Sequence, residues 1–184
     1  MQRTMSFNFV GYFPKRIEPA TDAMGLPGVA EIWSVADCIS EGPENWISLW
    51  RHNDFGAYNT SELARSVIPA DRRNQFVVVA YRLWSEEFDE IGSRTVTNFE
   101  SLPPLELDHG YRSIGFDAVS ASCGQFECSP LSCNGGAKQY PANRHCLFRT
   151  LDEALVAAAE FARGHWEPGP YRVVEVLAPE TPDV

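Results

Sequence analysis

The chain lacks any run of basic residues. Its 15 Lys and Arg stand against 25 Asp and Glu, for a formal net charge of −10. Nucleic acids are held mainly by Lys and Arg that neutralise phosphates. This balance therefore argues against a nucleic-acid ligand and against docking on an anionic membrane. Lys15-Arg16 and Arg72-Arg73 are only short basic spots. Long apolar runs are also missing, and nothing approaches the ~20 residues of a membrane helix. The opening "MQRTMSFNFVGYF" has an Arg but no long apolar stretch before a small-residue cleavage site, so no secretory leader is expected. The cytoplasm, where thiols stay reduced, is the expected compartment. No G-x-S-x-G, H-E-x-x-H, P-loop or G-x-G-x-x-G pattern occurs. No internal repeat or low-complexity tract stands out. The Pro103-Pro104 linker is the one candidate boundary, and the C-terminal piece beyond it is too small to bury its own core. A single domain over residues 1–184 is expected.

Apolar residues make up 44% of the chain and charged residues 22%, enough for a real core. "SFNFVGYF" alternates like a strand that Pro14 should end, and "VAEIWSVADCI" reads as a second strand. "EGPENWISLWRHNDFG" has helix grammar, with Pro43 at the first turn, Glu44 suited to the dipole, and "RHND" as a solvated last turn. "NTSELARSVIP" is a shorter helix. "NQFVVVAYRLW" is the strongest strand and predicts a central position. "RTVTNF", "YRSIGFDAVSAS", "CLFR" and "YRVVEVL" read as further strands, and residues 178–184 as a polar tail. The clearest helix is "TLDEALVAAAEFARG", where Thr150 and Glu153 form a capping box. The interleaving is not a regular βαβα rhythm. It predicts an α+β fold: a mixed or mainly antiparallel sheet with helices packed on one face and a C-terminal strand–helix–strand unit.

The sulfur is concentrated. Residues 121–146 form a Cys-rich loop without helix or strand periodicity, longer than idle loops usually are. Four cysteines, Cys123, Cys128, Cys133 and Cys146, supply enough ligands for a structural zinc, with His145 as a substitute ligand. The spacing is wider than the C-x2-C knuckle. Cys128 and Cys133 flank "SPLS", a turn that would bring them together as a redox pair. Packing alone is the third account, because free Cys behaves as a small hydrophobe. A nucleophilic thiol would need a base, and His52, His109, His145 and His165 are on hand. The acidic cluster Glu86, Glu87, Asp89 and Glu90 is expected in a solvated loop past a strand end. Asp117, opposite Ile114 and Phe116 in the alternation, is expected to face solvent.

The composition points to an acidic protein that acts by binding: an interaction or regulatory module, with a basic protein as the partner its charge suits. No cofactor is expected on this reading. The competing reading is a small enzyme or zinc-binding protein with its site at residues 123–146.

Overall fold

A computed structural model of the chain describes residues 6–36, 38–39, 42–43, 52–97, 105–122 and 126–180. The main sheet holds strands β1 (Phe7–Arg16), β4 (Phe76–Phe88), β6 (Tyr111–Ser120) and β7 (Tyr171–Pro179) in the order β1-β4-β7-β6. Every pairing is antiparallel, and the short β5 (Arg94–Val96) adds to β4. A separate two-stranded ribbon pairs β2 (Glu18–Pro19) with β3 (Glu31–Ile32). The helices are α1 (Ser61–Ser66) and α2 (Leu151–Arg163).

Both helices pack on the same sheet face. Tyr171, Val173 and Leu177 share one side of β7 by the period-2 alternation of a strand. The first two meet Ala158 and Phe161 of α2, and Leu177 joins Ala80, Tyr12 and Ala64 of α1. The opposite face carries Val79, Tyr81, Leu83, Val174 and Val176, covered by Val35 and Phe126 from the long connections. Thus α+β with helices on one face is the observed architecture. β4 is indeed central, and the Thr150–Glu153 capping box is made in both directions.

The expectation of no repeat is overturned, because the chain contains the same unit twice. Each copy begins with an outer strand that bulges beside a glycine, at Phe9/Gly11 in β1 and Ser113/Gly115 in β6. After a long insert comes an asparagine hook. Asn53 Oδ1 accepts from the backbone N–H of Phe55 and Ala57, and its Nδ2 donates to the Val10 carbonyl in the bulge at 2.9 Å. Asn143 Oδ1 accepts from His145 and Leu147 N–H, and its Nδ2 donates to the Ile114 carbonyl at 2.7 Å. Three residues on, Gly56 and Cys146 both take positive φ, 73° and 59°. Tyr58 then bridges Tyr12, and Phe148 bridges Phe116. Thr60 and Thr150 next cap α1 and α2, each accepting from the third helical N–H at 3.2 Å. Each helix leads into an inner strand, β4 or β7.

The same relation holds in the register of the sheet. One row runs Gly11, Tyr81, Val176, Gly115, and a two-fold between Tyr81 and Val176 exchanges its halves. The same operation exchanges the Ala80–Leu177 pair with the Glu175–Arg82 pair. The glycines are required by contact. A Cβ on Gly11 would lie 2.6 Å from the Tyr58 carbonyl oxygen, and one on Gly115 would lie 2.7 Å from Leu147 Cβ.

Other expectations are also corrected. β1 runs through Pro14 to Arg16, because Pro tolerates an edge strand, where no partner needs its N–H. The second strand shrinks to Glu31–Ile32, since the next residues bond to side chains and loop carbonyls instead of a ladder. "CLFR" makes only an isolated bridge. The expected helix from Glu41 to Gly56 falls largely outside the described residues, and its end at Asn53 is the hook, not a helical turn. β4 continues through Glu86 and Glu87 to Phe88. Glu86 is buried, accepting from Trp84 Nε1, and Glu87 pairs with Arg172. β7 takes in Ala178 and Pro179 of the expected tail. Among the described residues, no helix is long and apolar enough to cross a membrane.

Candidate functional site: a three-sulfur cluster between the inserts

The two units differ most in their inserts, residues 17–52 in the first and 121–142 in the second. The inserts wrap both sheet faces: Val35 and Phe126 cover the face opposite the helices, while Ile32, Leu131 and Ala137 join the α2 core, and Asp117 is one point where they are fastened. Asp117 lies on the Val174 row of β6 and is fully buried, contrary to the expectation of solvent. Alternation along a strand sets which face a residue takes, not what covers that face. Asp117 Oδ1 accepts from Ser129 Oγ at 2.8 Å and from the Ala118 N–H at 2.9 Å. Its Oδ2 accepts from the Val35 N–H at 3.2 Å. One carboxylate thus grips an insert from each unit. Burial dominates and pushes its pKa up to about 6, against the hydrogen bonds from Ser129, Val35 and Ala118 and the charge of Lys15. Lys15 is buried too, and its Nζ donates to the Val35 carbonyl at 2.8 Å.

From this anchor the sulfurs are reached by short steps. After β6 the chain doubles back, so the Ser120 N–H donates to the Cys128 carbonyl and the Glu127 N–H to the Ser120 carbonyl. Cys128 is therefore placed beside the strand end. Residues 129–133 form a tight turn, with the Ser129 carbonyl accepting from the N–H of Ser132 and Cys133. Ser132 Oγ donates to Ser34 Oγ at 2.9 Å, a second link between the inserts. Just beyond it, Cys133 forms a disulfide with Cys38 of the first insert, across a sequence separation of 95. The turn does bring Cys128 and Cys133 together, as the "SPLS" spacing suggests. The disulfide, however, takes its second sulfur from Cys38, which lies outside the Cys-rich loop. The sulfurs of Cys38, Cys128 and Cys133 lie within 4.8 Å of one another. Cys38 is exposed and the other two are half-buried.

Two of the remaining expected ligands, Cys146 and His145, are placed elsewhere. Cys146 is a free thiol in the core among Ile32, Phe148 and Leu155, in the position Gly56 holds in the first unit. His145 lies against Trp33, with its Nδ1 3.3 Å from Glu31 Oε2 but out of line for a hydrogen bond. Burial lowers its pKa, opposed by the Glu31 carboxylate. Cys123 lies outside the described residues. Among the described residues, the group that assembles is Cys38, Cys128 and Cys133, two of the expected ligands and one from outside the loop.

The surroundings of Cys128 are acidic. Asn134 Oδ1 sits 3.8 Å from its sulfur, while Asn134 Nδ2 donates to Glu167 Oε1 at 2.7 Å. Burial, followed by the Glu167 carboxylate, pushes the Cys128 thiol up to about 12. Burial does the same to Cys146. Both are therefore almost wholly protonated at neutral pH. Because the thiolate is the nucleophile, this setting opposes a catalytic cysteine. It suits a thiol held quiet beside a disulfide. No family model matches the chain, and no curated protein or solved structure is similar to it.

Proposed function

We propose that this protein is a binding module whose insert-covered face is set by a thiol–disulfide clasp. The observation that carries the reading is the Cys38–Cys133 disulfide, which joins the two inserts with the Cys128 thiol within 4.8 Å of both sulfurs. Attack by the Cys128 thiolate on Cys133 Sγ would form a Cys128–Cys133 bond and release Cys38 as thiolate. That exchange consumes no oxidant and removes the covalent link between the inserts, leaving the Asp117 and Ser34–Ser132 hydrogen bonds to hold them. The high thiol pKa keeps the exchange slow until a reductant or partner intervenes. In the cytoplasm we take as the compartment, the clasp would stand open until oxidised. In an oxidising compartment it would stay shut. The partner class rests on charge. The net charge of −10 and the carboxylates of Glu127 and Glu167 near the clasp favour a basic protein over nucleic acid or an anionic membrane.

The test compares hydrogen exchange in the oxidised protein, the reduced protein and Cys38→Ser. Reduction should speed exchange in residues 26–36 and 126–140 and leave β4 and β7 unchanged, with Cys38→Ser matching the reduced state. A decalysine peptide serves as the cationic probe, and its affinity should differ between the two redox states in a salt-dependent way. Identical exchange in all three samples would remove the clasp, and equal peptide affinity would remove its link to binding.

A further inference from the structure

The cluster that closes as a disulfide has, when open, the composition of a metal centre. We propose that the reduced protein binds one Zn²⁺ through the thiolates of Cys38, Cys128 and Cys133 with the Glu167 carboxylate as fourth ligand. This rests on the clasp reading only in needing the disulfide to open.

Several observations carry the proposal. Three sulfurs, two from the turn of the second insert and one from the first insert 95 residues before Cys133, lie within 4.8 Å of one another. Sulfurs sharing a tetrahedral zinc, each ~2.3 Å from the ion, stand about 3.8 Å apart. Reduction and metal binding therefore need only small side-chain movements. The fold holds the three positions independently of the sulfur bond. Cys128 is fixed by the β6 bridge, Cys133 by the turn from Ser129, and the Cys38 segment by the Val35 N–H on Asp117 and by the Ser34–Ser132 contact. Glu167 stands next to the cluster but outside its 4.8 Å circle, joined to Cys128 through Asn134, whose Oδ1 sits 3.8 Å from the Cys128 sulfur and whose Nδ2 donates to Glu167 Oε1, so it would have to turn inward to ligate. The Asn134 bond is the outer support that ligating carboxylates commonly have. Its backbone is fixed as well, since Tyr171 OH bonds both its N–H and its carbonyl. Glu167 lies in the link between α2 and β7, so the ion would join that link to both inserts.

The chemistry balances. A dithiol or glutathione gives two electrons and two protons to the Cys38–Cys133 bond and becomes a disulfide itself. Zn²⁺ then displaces the three thiol protons and adds the carboxylate. The same atoms thus form either a sulfur–sulfur bond or a zinc site, never both at once. Oxidation would release the ion and zinc would resist oxidation.

The experiment uses the full chain, reduced and freed of reductant under nitrogen, with Zn²⁺ and Co²⁺ as probes. One equivalent should bind. Cobalt should give tetrahedral ligand-field bands with sulfur charge-transfer intensity for three thiolates. The oxidised protein should bind neither ion at this site. Cys128→Ser, which leaves the disulfide intact, should weaken zinc by well over tenfold in the reduced state. Glu167→Gln should weaken it by about tenfold or more, since even loss of an outer-shell partner costs about that much. Cys146→Ser should change nothing. Equal zinc affinity in Cys128→Ser, or in oxidised and reduced protein, would overturn the proposal. Equal affinity in Glu167→Gln would overturn the fourth ligand. A thiol count in denaturant on the purified protein keeps the two readings apart. Five free thiols that resist oxidation, with zinc bound, would sink the clasp and uphold the metal site. A closed disulfide whose reduced form takes no zinc would do the reverse.

Discussion

A single buried carboxylate shows what the residue scale contributes. Asp117 accepts three hydrogen bonds, yet burial still raises its pKa from 3.8 to about 6. The folded state therefore holds this proton more tightly than the unfolded chain. The stability it adds is fully present below pH ~4 and is lost as pH rises through about 6. A rise of that size corresponds to about 3 kcal/mol at most. Denaturant midpoints measured from pH 4 to 7 should show that fall on top of the contributions of other groups. Asp117→Asn should remove it, since the amide does not ionise and its oxygen still accepts from backbone N–H. Parallel pH profiles for the two proteins would place the titrating group elsewhere. The sequence shows Asp117 between Phe116 and Ala118 in a strand, which determines its face. It cannot show that Ser129 and Val35, from two different inserts, arrive to cover it. Cys38 is hidden from a sequence reading for the same reason. Its partner is 95 residues away, and spacing within one loop carries no trace of it.

At the scale of elements, the two asparagine hooks do the same work in both units. Each ties a five-residue turn to a bulged strand and delivers the chain to a helix cap. Replacing Asn143 by Ala leaves the N–H groups of His145 and Leu147 and the Ile114 carbonyl without these partners. Each polar group left unsatisfied in the interior costs roughly 1–3 kcal/mol. The sites are partly exposed, so Asn143→Ala should cost about 2–4 kcal/mol in all, and Asn53→Ala a similar amount. Urea unfolding of the two variants checks this. A near-neutral Asn143→Ala would show the hook to be incidental, and a large gap between the two variants would break the equivalence of the units. Much at this scale is legible in the sequence. The run "FVVVAY" announces a central strand, and Thr150 with Glu153 announces where α2 starts. The repeat is not legible. Within the matched hook and cap segments, residues 53–66 and 143–156, only the Asn, the Thr and a helix Ala (Ala64, Ala154) are identical. The strands that precede them stand at different distances because the inserts differ in length. What recurs is a hydrogen-bond pattern, which few side-chain identities are needed to maintain.

For the whole molecule, the repeated unit supplies the main sheet with two inner and two outer long strands, and the inserts make the halves non-interchangeable. The Cys38–Cys133 bond closes a ring that contains α1, β4, β5 and β6 but leaves β1 and β7 outside it. Such a ring chiefly restricts the unfolded chain, and for a loop of roughly 100 residues the chain-entropy treatment gives up to about 4.7 kcal/mol. Engineered and natural bonds usually deliver less, so reduction should lower the unfolding free energy by about 2–4 kcal/mol. The clasp reading requires this loss to come without loss of the native sheet. The reduced protein should unfold in one cooperative transition at lower denaturant, with its β4 and β7 amides still the last to exchange. Cys38→Ser should start at the reduced value and gain nothing from oxidation. Zinc added to the reduced wild type should recover part of the difference, and Cys128→Ser should not recover it. If reduction leaves the midpoint where it was, the bond joins segments that are already immobile in the unfolded ensemble. The inserts would then owe their placement to Asp117 and the serine pair alone.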